Sequence, residues 1–520
     1  MKTSAFDTAR IVFLIFLILV TPDCARNPVS HHYEITLMSS AEEVTIGKEQ
    51  NKAILKLYKK YNDKKLQKYI DTIGQKLVAV AHHRPFKYHF TLIDSGEINA
   101  FAMPGGYVYI NRGILTQSNS EAEVASVIGH EIGHITARHH ARQQVRAMGL
   151  SIGSMIATVF LGQAGIYLQR YIDLLFSGIY QSFGRQAELQ ADELGQEYAA
   201  AAGWDPRAET TFLKTLDRLE HGRDRSVFHG FFASHPETYE RIEKAETRAG
   251  RILASARKPL KTGRKDLLRR LDGISYGNRP ELGEFEDSLY RNAKFGISVR
   301  FPKDWENFSS EGIVVSRRPD TSEFVQLITA QPKKKHYLDQ LTSKEDYFIK
   351  LREMAGQFED KSGWRRNSES RTVINKIPTF VTTYQLQSGL GRFYSVQGHF
   401  IIVEKNLFIL LAFVPVGQES LADYYFQKVF QSVRRLNEAE REALKPRIIR
   451  IHEVRKKETF ESIAREYYGS DDKARQIAEF NGYASALYPA PGDLLKIIVR
   501  SKEVPKRGSP RNDEKDKKEE

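Results

Sequence analysis

The sequence predicts a multidomain α+β protein, and three observations support this class. Its 520 residues are too many for a single hydrophobic core. The first half combines helical patterns with two short strand signals. After a Gly/Pro/Asn linker at residues 277–280, strand-like runs alternate with helical ones. We therefore expect a mainly helical domain at 28–270, an α+β domain at 284–438, a small domain at 449–499 and a disordered tail at 500–520.

The amino terminus has the pattern of an export signal. Lys2 and Arg10 precede an apolar run at residues 11–20, which has the length of a signal peptide and is too short to span a bilayer comfortably. Cys24, the only cysteine of the chain, follows directly. It is either the lipidated first residue of a mature lipoprotein or an incidental thiol in a discarded leader. We predict a signal peptide at 1–24 and export to the cell envelope.

The net charge limits the partners without selecting one. A formal charge of +13 suits an anionic membrane surface or a polyanionic cell wall, and it also suits nucleic acid. The sequence has no zinc finger, RNA-recognition signature or basic helix. Nucleic acid is therefore not a predicted partner.

The first elements are a helix and two strands. Ser40 and Glu43 fit a capping box, which predicts a helix start at Ser40. Strand signals follow at residues 88–93 and 100–110, and the second is broken by the turn dipeptide Gly105-Gly106. This pattern predicts a small sheet inside a helical domain.

A long helix is predicted from Ser120, where Ser120 and Glu123 form a second capping box. Residues 149–169 are apolar but interrupted by glycines. They could dip into a membrane, and a buried or site-covering helix is the interpretation that we favour.

The central domain is predicted from its strand-like runs, and no cluster of titratable groups in it suggests catalysis. Its role cannot be read from the sequence. The runs lie at residues 295–301, 324–328, 379–386, 392–403 and 407–414, with helical patterns at 343–358 and 422–433.

The sequence His-Glu-x-x-His occurs once, at residues 130–134. Positions four apart share one helix face, so His130 and His134 can bind one metal ion, while Glu131 points toward a water on that ion. A bound zinc ion polarises the water, and Glu131 takes its proton during attack on a peptide carbonyl. The alternative is a pair of surface histidines, which the apolar neighbours disfavour. Gly129 and Gly133 each cost helix stability and suggest close approach by another chain or a substrate.

A catalytic zinc needs a third protein ligand. Glu188 supplies a carboxylate on a later helical stretch, and Asp192 lies one turn beyond it. This spacing offers Glu188 as ligand and Asp192 as the acceptor that holds a zinc-bound histidine by its other ring N–H. The alternative is a solvated acidic face. The two motifs together favour a metal site with one zinc ion per chain.

These motifs resemble the gluzincin metallopeptidases that include HtpX, BepA and the CAAX prenyl proteases. The match covers about residues 24–250, and its first residues resemble the exported, often lipid-anchored bacterial branch of these peptidases. The resemblance implies a zincin-type peptidase domain, zinc endopeptidase activity, His130, His134 and Glu188 as ligands, and Glu131 as general base. The matching motifs, in family order, are Asn99-Ala-Phe-Ala-Met-Pro-Gly-Gly106, His130–His134, Glu188–Asp192 and His235-Pro236.

The same resemblance implies two further roles. An edge strand at residues 99–103 would bind substrate as an added antiparallel strand, largely without regard to side chains. A core strand is the alternative. His235 would either stabilise the oxyanion or cap the zinc in a latent state, and a routine loop histidine is the alternative. The predicted substrate-binding residues are Asn99, Ala100, Phe101 and Ala102.

Residues 451–497 are similar to a LysM repeat, which implies a βααβ fold and binding to glycans such as peptidoglycan. One departure is that Lys456-Lys457-Glu458-Thr459 stands where Lys-Gly-Asp-Thr is usual. The glycine that is usual in this turn is therefore absent here.

The sequence thus predicts a zinc-dependent endopeptidase of the bacterial envelope that cleaves envelope proteins, plausibly misfolded ones. Its membrane association would be peripheral or through a lipid anchor on Cys24. One rival is an inactive or latent peptidase that acts as a peptidoglycan-binding adaptor or chaperone. Another is an integral membrane protease, which requires that residues 149–169 span lipid.

Overall fold

The computed structural model describes much of the chain outside its predicted leader and tail. Among the residues that it describes, no helix is long and apolar enough to cross a bilayer. The predicted leader, the side chain of Cys24, residues 149–169 and the tail from 501 lie outside the described residues. The described residues are 23–26, 29, 33–36, 39–140, 183–220, 235, 239–278, 283–310, 312–319, 321, 323–330, 338, 340–387, 393–483 and 488–500.

The amino-terminal region is mainly helical, as predicted. Its three-stranded sheet has the order β3-β5-β4, with β3 parallel and β4 antiparallel to β5, so β4 lies at an edge. The elements are β1 Asp23–Arg26, β2 Tyr33–Thr36, α1 Ser40–Leu57, α2 Lys64–Val78, β3 His89–Ile93, β4 Ala100–Met103, β5 Tyr107–Asn111, α3 Arg112–Gln117, α4 Glu121–Thr136, α5 Arg185–Ala201, α6 Arg207–Glu220, α7 Tyr239–Ser255 and α8 Arg264–Leu271.

The residue that caps helix α1 is Ser39, one position before the predicted cap, Ser40. Ser39 accepts a hydrogen bond from the backbone of Glu42, and the Glu42 carboxylate bonds back to Ser39. The prediction that Ser40 and Glu43 form the box is wrong, because Glu43 is buried against Arg84 and Arg138 instead. A buried carboxylate stabilised by two arginines cannot also cap a helix in solvent.

Helix α4 lies at the centre of this region, and every residue from Glu121 to Thr136 is buried. Ser120 caps it as predicted, by accepting from the backbone of Glu123. The Glu123 carboxylate accepts from the backbone N–H of Asn119 rather than from that of Ser120, so the second half of the predicted capping box is not formed.

Glycines set the contact between α4 and α5. An added Cβ at Gly129 would lie 2.8 Å from the carbonyl oxygen of Gly195, and one at Gly195 would lie 2.6 Å from the backbone nitrogen of His130. One at Gly133 would lie 3.0 Å from the carbonyl oxygen of Ala191. The prediction of a close approach is confirmed, but the element that approaches is a helix of the same chain rather than another chain or a substrate.

The central domain is built on a seven-stranded sheet of order β10-β11-β12-β16-β15-β14-β13, and its paired neighbours are antiparallel. A four-stranded sheet, β17-β9-β8-β7, accompanies it. The elements are β7 Glu284–Glu286, β8 Leu289–Asn292, β9 Ile297–Arg300, β10 Glu306–Ser310, β11 Ile313–Arg317, β12 Phe324–Ala330, α9 Lys344–Ser362, β13 Arg366–Ile374, β14 Ile377–Gln387, β15 Phe393–Val403, β16 Asn406–Pro415, α10 Glu419–Ser432, β17 Arg434–Arg435 and α11 Glu438–Ala443.

The large sheet buries side chains on both faces. Alternation along β16 sends Phe408 and Leu410 toward α10 and the small sheet, whereas Ile409 and Leu411 pack in the core beside α9. The strands and helices predicted here are observed with their ends shifted by a few residues. A sheet covered on both faces explains why the strand signals are nearly continuous apolar runs.

The buried ring of His399 makes the central domain sensitive to mild acid. It stacks on Phe430 with ring centroids 3.6 Å apart, and neither ring nitrogen has a hydrogen-bond partner among the described residues. Burial lowers the pKa of His399 from its ordinary 6.5 to about 3. The unfolded chain gains a proton as the pH falls through 6.5, whereas the folded chain does not until about pH 3. Stability is therefore lost as the pH falls through this window.

We expect the free energy of unfolding to fall by about 2 kcal/mol more in wild type than in His399→Leu when the pH drops from about 7 to about 5. Urea unfolding of both proteins at the two pH values measures the difference. Equal losses would contradict the assignment, because the remaining titrating groups are common to both proteins.

The carboxy-terminal module has the predicted strand-helix-helix-strand order. Strand β18 pairs antiparallel with β19, and the linker strand β6 Ser275–Tyr276 adds to the other edge of β18. Lys457 holds a φ of 65°, so the turn that usually contains glycine is kept with a lysine in the left-handed region. The elements are β18 Arg447–Glu453, α12 Phe460–Tyr468, α13 Ala474–Phe480 and β19 Leu494–Arg500.

This module packs on the amino-terminal region. Ile449 and Leu494 belong to the hydrophobic core that contains α4. The fully buried Lys496 donates from Nζ to the carbonyls of Thr116, Gln117 and Ser118 at 2.9, 3.2 and 2.9 Å. The module is thus joined to the segment that leads into α4, a contact that the predicted division into domains did not include.

Candidate metal centre

The two histidines of His-Glu-x-x-His meet on one face of α4. Nε2 of His134 lies 2.9 Å from Nε2 of His130, and both rings are buried. Their four-residue spacing brings them together, as the helical period predicts.

Glu188, on α5, completes the predicted ligand set. Its carboxylate oxygens lie 3.5 Å from Nε2 of His130 and 3.5 Å from Nε2 of His134. His235 joins the same group, with Nδ1 3.1 Å from both Glu188 oxygens and 3.2 Å from Nε2 of His130. One ligand atom from each of these four residues lies within 4.8 Å of the others.

A zinc ion fits this donor set. Imidazole nitrogens and carboxylate oxygens are usual zinc ligands, bound at about 2.0–2.2 Å. Tetrahedral ligands at that distance are about 3.3 Å apart, which matches the separations of 2.9 to 3.5 Å between these atoms. The four side chains could therefore hold a metal ion without large movement.

Asp192 holds His130 from behind, where the sequence predicts a supporting carboxylate. Its Oδ1 lies 2.8 Å from Nδ1 of His130. Arg241 donates to both Asp192 oxygens, each at 2.8 Å. Burial raises the pKa of Asp192, but Arg241 outweighs burial and the net pKa is well below its usual range. The ionised Asp192 carboxylate can therefore accept the Nδ1–H of His130, which leaves the lone pair on Nε2 of His130 available to a metal ion.

Sequence reasoning missed two supporting residues. These are Arg241, which pairs with Asp192, and His139, whose Nδ1 lies 2.9 Å from Nδ1 of His134. The sequence signal for His139 was that it is a third histidine, five residues after His134 and just past the end of α4.

In His134 and Glu188, the electrostatics of the cluster favour the protonation states that bind a metal ion. Burial lowers the pKa of His134 well below its usual value, and the neighbouring histidines add to this. Burial raises the pKa of Glu188, but His235 outweighs it and the net shift is downward. Burial lowers the pKa of His235, while Glu188 and Glu131 outweigh it and the net shift is upward. A neutral His134 and an ionised Glu188 are the forms that bind metal ions.

Glu131 lies between this cluster and the edge strand. Its Oε1 is 3.5 Å from Nε2 of His235 and has no hydrogen-bond partner among the described residues. The backbone N–H of Ala102 donates to the Glu131 carboxylate. Burial raises the pKa of Glu131, against the opposing effect of His235 and His130. A raised pKa makes this carboxylate a better proton acceptor in catalysis.

The register of β4 determines which of its backbone groups face outward. The N–H of Asn111 donates to the carbonyl of Asn99, so these two residues form a hydrogen-bonded pair. From there, hydrogen-bonded and non-hydrogen-bonded residue pairs alternate along β4 and β5. Asn99 and Phe101 therefore bond toward β5, whereas Ala100 and Ala102 direct their backbone groups away from β5. All four residues of β4 are buried, and the Ala102 N–H meets the Glu131 carboxylate on that side.

A buried His-Glu-x-x-His helix with a carboxylate from a second helix and an adjacent edge strand is the arrangement of a metallopeptidase centre. Residues 64–249 match the profile of Peptidase family M48. The resemblance to this class of peptidase, predicted from the motifs, is confirmed for that part of the chain. The resemblances to a LysM repeat and to the lipoprotein branch stay predictions.

Three relatives illustrate the match. The beta-barrel assembly-enhancing protease of Escherichia coli (strain K12) is 35% identical over 201 residues, which cover 37% of this chain and 40% of that protein. The mitochondrial metalloendopeptidase OMA1 of Schizosaccharomyces pombe is 30% identical over 180 residues, or 34% and 51% of the two chains. Metalloprotease LoiP of Escherichia coli (strain K12) is 28% identical over 182 residues, or 35% and 69%. The chain spans 40% of the length of the first of these relatives.

Proposed function

We propose that the chain is a zinc-dependent endopeptidase of the bacterial cell envelope. The observation that carries this proposal is the convergence of His130, His134 and Glu188 from two helices, with the Glu131 carboxylate directly beside them. The match of residues 64–249 to a peptidase family supports it independently.

Glu131 is the proton acceptor in this proposal. When bound, zinc supplies a polarised water and a Lewis acid for the peptide carbonyl. The Ala102 N–H holds one oxygen of Glu131 and leaves Oε1 without a partner among the described residues, so Oε1 is the atom that takes the proton. The same carboxyl then delivers that proton to the leaving amine.

The substrate is an extended peptide segment in this proposal. It adds to the edge of β4 through the outward backbone groups of Ala100 and the outward carbonyl of Ala102, because the Ala102 N–H already donates to Glu131. Asn99 and Phe101 keep the strand paired to β5. Backbone pairing selects unfolded segments over particular sequences, which fits a role in the quality control of envelope proteins.

The proposed location rests on the predicted leader, and the wall contact rests on the carboxy-terminal module. Export would place the enzyme in the periplasm or envelope, with Cys24 as the site of a lipid anchor. The strand-helix-helix-strand module would hold peptidoglycan and keep the enzyme near its substrates.

A latent state is the second candidate, and the position of His235 favours it. With His130, His134 and Glu188, His235 makes four candidate ligands, which fill a four-coordinate zinc and leave no place for water.

We expect His235→Ala to cleave an unfolded protein about tenfold faster than wild type, because one position of the metal is opened. Initial rates with a casein substrate measure this. A rate that falls would instead favour the role of His235 in oxyanion stabilisation.

The zinc content of purified protein tests the proposed function. Wild type is expected to carry one zinc ion per chain, and Glu188→Ala is expected to bind zinc at least about tenfold more weakly, because it loses one of its ligands. The exposed Glu193 on the same helix provides the matched control, Glu193→Ala. Wild-type protein without zinc, or equal zinc affinity in Glu188→Ala, would reject the site.

A further inference from the structure

His134 has its own supporting partners on the side away from the cluster. Its Nδ1 lies 2.9 Å from Nδ1 of His139, and Nε2 of His139 lies 3.0 Å from Oε1 of Gln190. His134 and His139 are buried, and Gln190 is half-buried on α5, two residues beyond Glu188. The chain of contacts therefore runs from the metal helix to the helix that supplies the carboxylate ligand.

The ring nitrogens of this chain admit one consistent assignment. Nε2 of His134 faces the cluster and must carry a lone pair to bind a metal, so the proton of the neutral ring is on Nδ1. That N–H donates, and Nδ1 of His139 accepts. The proton of His139 is then on Nε2, which donates to the carbonyl oxygen of Gln190. The observed contact to Oε1 of Gln190 has the required polarity.

The orientation of the His134 ring is held from two sides. Phe183 stacks on it with centroids 4.1 Å apart and planes at 27°. The His139 ring meets it edge-on at 73°. An acceptor on one side and a stacked ring on the other leave the His134 ring little freedom to rotate away from the metal position.

We propose that His139 and Gln190 are positioning residues for His134, and that they form a neutral counterpart of the Asp192–Arg241 pair that holds His130. This inference rests on the proposed metal function. Each metal histidine then has one acceptor, but only the acceptor of His130 carries charge.

The charge balance explains why a neutral pair suits this position. With a neutral His235, the charges of a bound Zn²⁺, Glu188, Asp192, Glu131 and Arg241 cancel in a buried site. A second carboxylate behind His134 would leave a net negative charge there without a cation to pair it, which is costly away from water. An imidazole acceptor fixes the tautomer of His134 without adding charge.

The test uses three variants of the full-length protein. His139→Phe keeps the approximate shape of the ring and removes the acceptor, whereas His139→Gln offers a carbonyl oxygen to His134. Gln190→Met removes the acceptor of His139 alone. Zinc affinity is measured by competition with a chelator, the metal geometry by the visible absorption of the cobalt-substituted protein, and folding by the thermal unfolding of the metal-free protein.

We expect His139→Phe to weaken zinc binding about 10–100-fold and to change the cobalt spectrum, while the metal-free protein unfolds as wild type does. His139→Gln should recover most of the affinity, and Gln190→Met should lose less than His139→Phe. Unchanged affinity and spectrum in both His139→Phe and Gln190→Met would overturn this inference alone. Equal weakening by His139→Gln and His139→Phe would also overturn it, since an acceptor would then not matter. Wild type that binds no zinc would overturn the proposed function as well.

Discussion

Glu131→Gln is expected to lower kcat/KM on an unfolded protein substrate by about 10²–10⁴-fold, which corresponds to about 3–5 kcal/mol of transition-state stabilisation. The amide has nearly the shape of the carboxylate but cannot take a proton from water. It does not remove a ligand of the cluster, so zinc content should equal that of wild type. The measurement is the initial rate of casein cleavage at matched zinc occupancy, with and without a chelator.

Glu193→Gln is the matched control, because Glu193 lies exposed on α5, away from the cluster. It should cleave at the wild-type rate. If Glu131→Gln and wild type cleaved equally well, Glu131 would not be the base. If neither protein cleaved the substrate measurably and both bound unfolded clients, the adaptor or chaperone alternative would be supported.

Lys496→Met is expected to lower the free energy of unfolding by about 3–5 kcal/mol. Nζ donates to three buried carbonyls, those of Thr116, Gln117 and Ser118. Burial lowers the pKa of Lys496 well below its usual value, although the nearby Glu123 carboxylate opposes this shift. Methionine fills a similar volume but leaves the carbonyls at the end of α3 buried without this donor.

Urea unfolding of the full-length chain measures this effect, and Lys473→Met is the matched control because Lys473 is exposed on the same module. The control should change stability by less than about 0.5 kcal/mol. A loss below about 1 kcal/mol in Lys496→Met would show that the module contributes little to the region around α4. A large loss would mean that truncating the module also damages the peptidase region.

The metal site could be predicted because most of its information is local. The spacing of His130 and His134 follows from the helical period, and the Glu188–Asp192 pair repeats that period on a second helix. Charge compensation is a non-local property. For this reason the partner of Asp192, Arg241, and the partner of His134, His139, were not assigned before the structure placed them.

The starts of the helices also depend partly on local sequence and partly on distant contacts. Ser120 was predicted correctly as a cap, whereas two adjacent serines, Ser39 and Ser40, made the start of α1 ambiguous. The buried contact of Glu43 with Arg84 decides between them, and that contact joins positions far apart in the chain.

By itself, the sequence determined the class of the elements and the chemistry that they carry, because apolar periodicity and motif spacing are properties of neighbouring residues. The tertiary structure alone decided what approaches the glycines of α4, that Arg241 pairs with Asp192, and that Lys496 joins the last module to the segment before α4. These depend on contacts between residues separated by tens to hundreds of positions. The free energy of such contacts comes from burial and pairing in the folded chain, which no local pattern records.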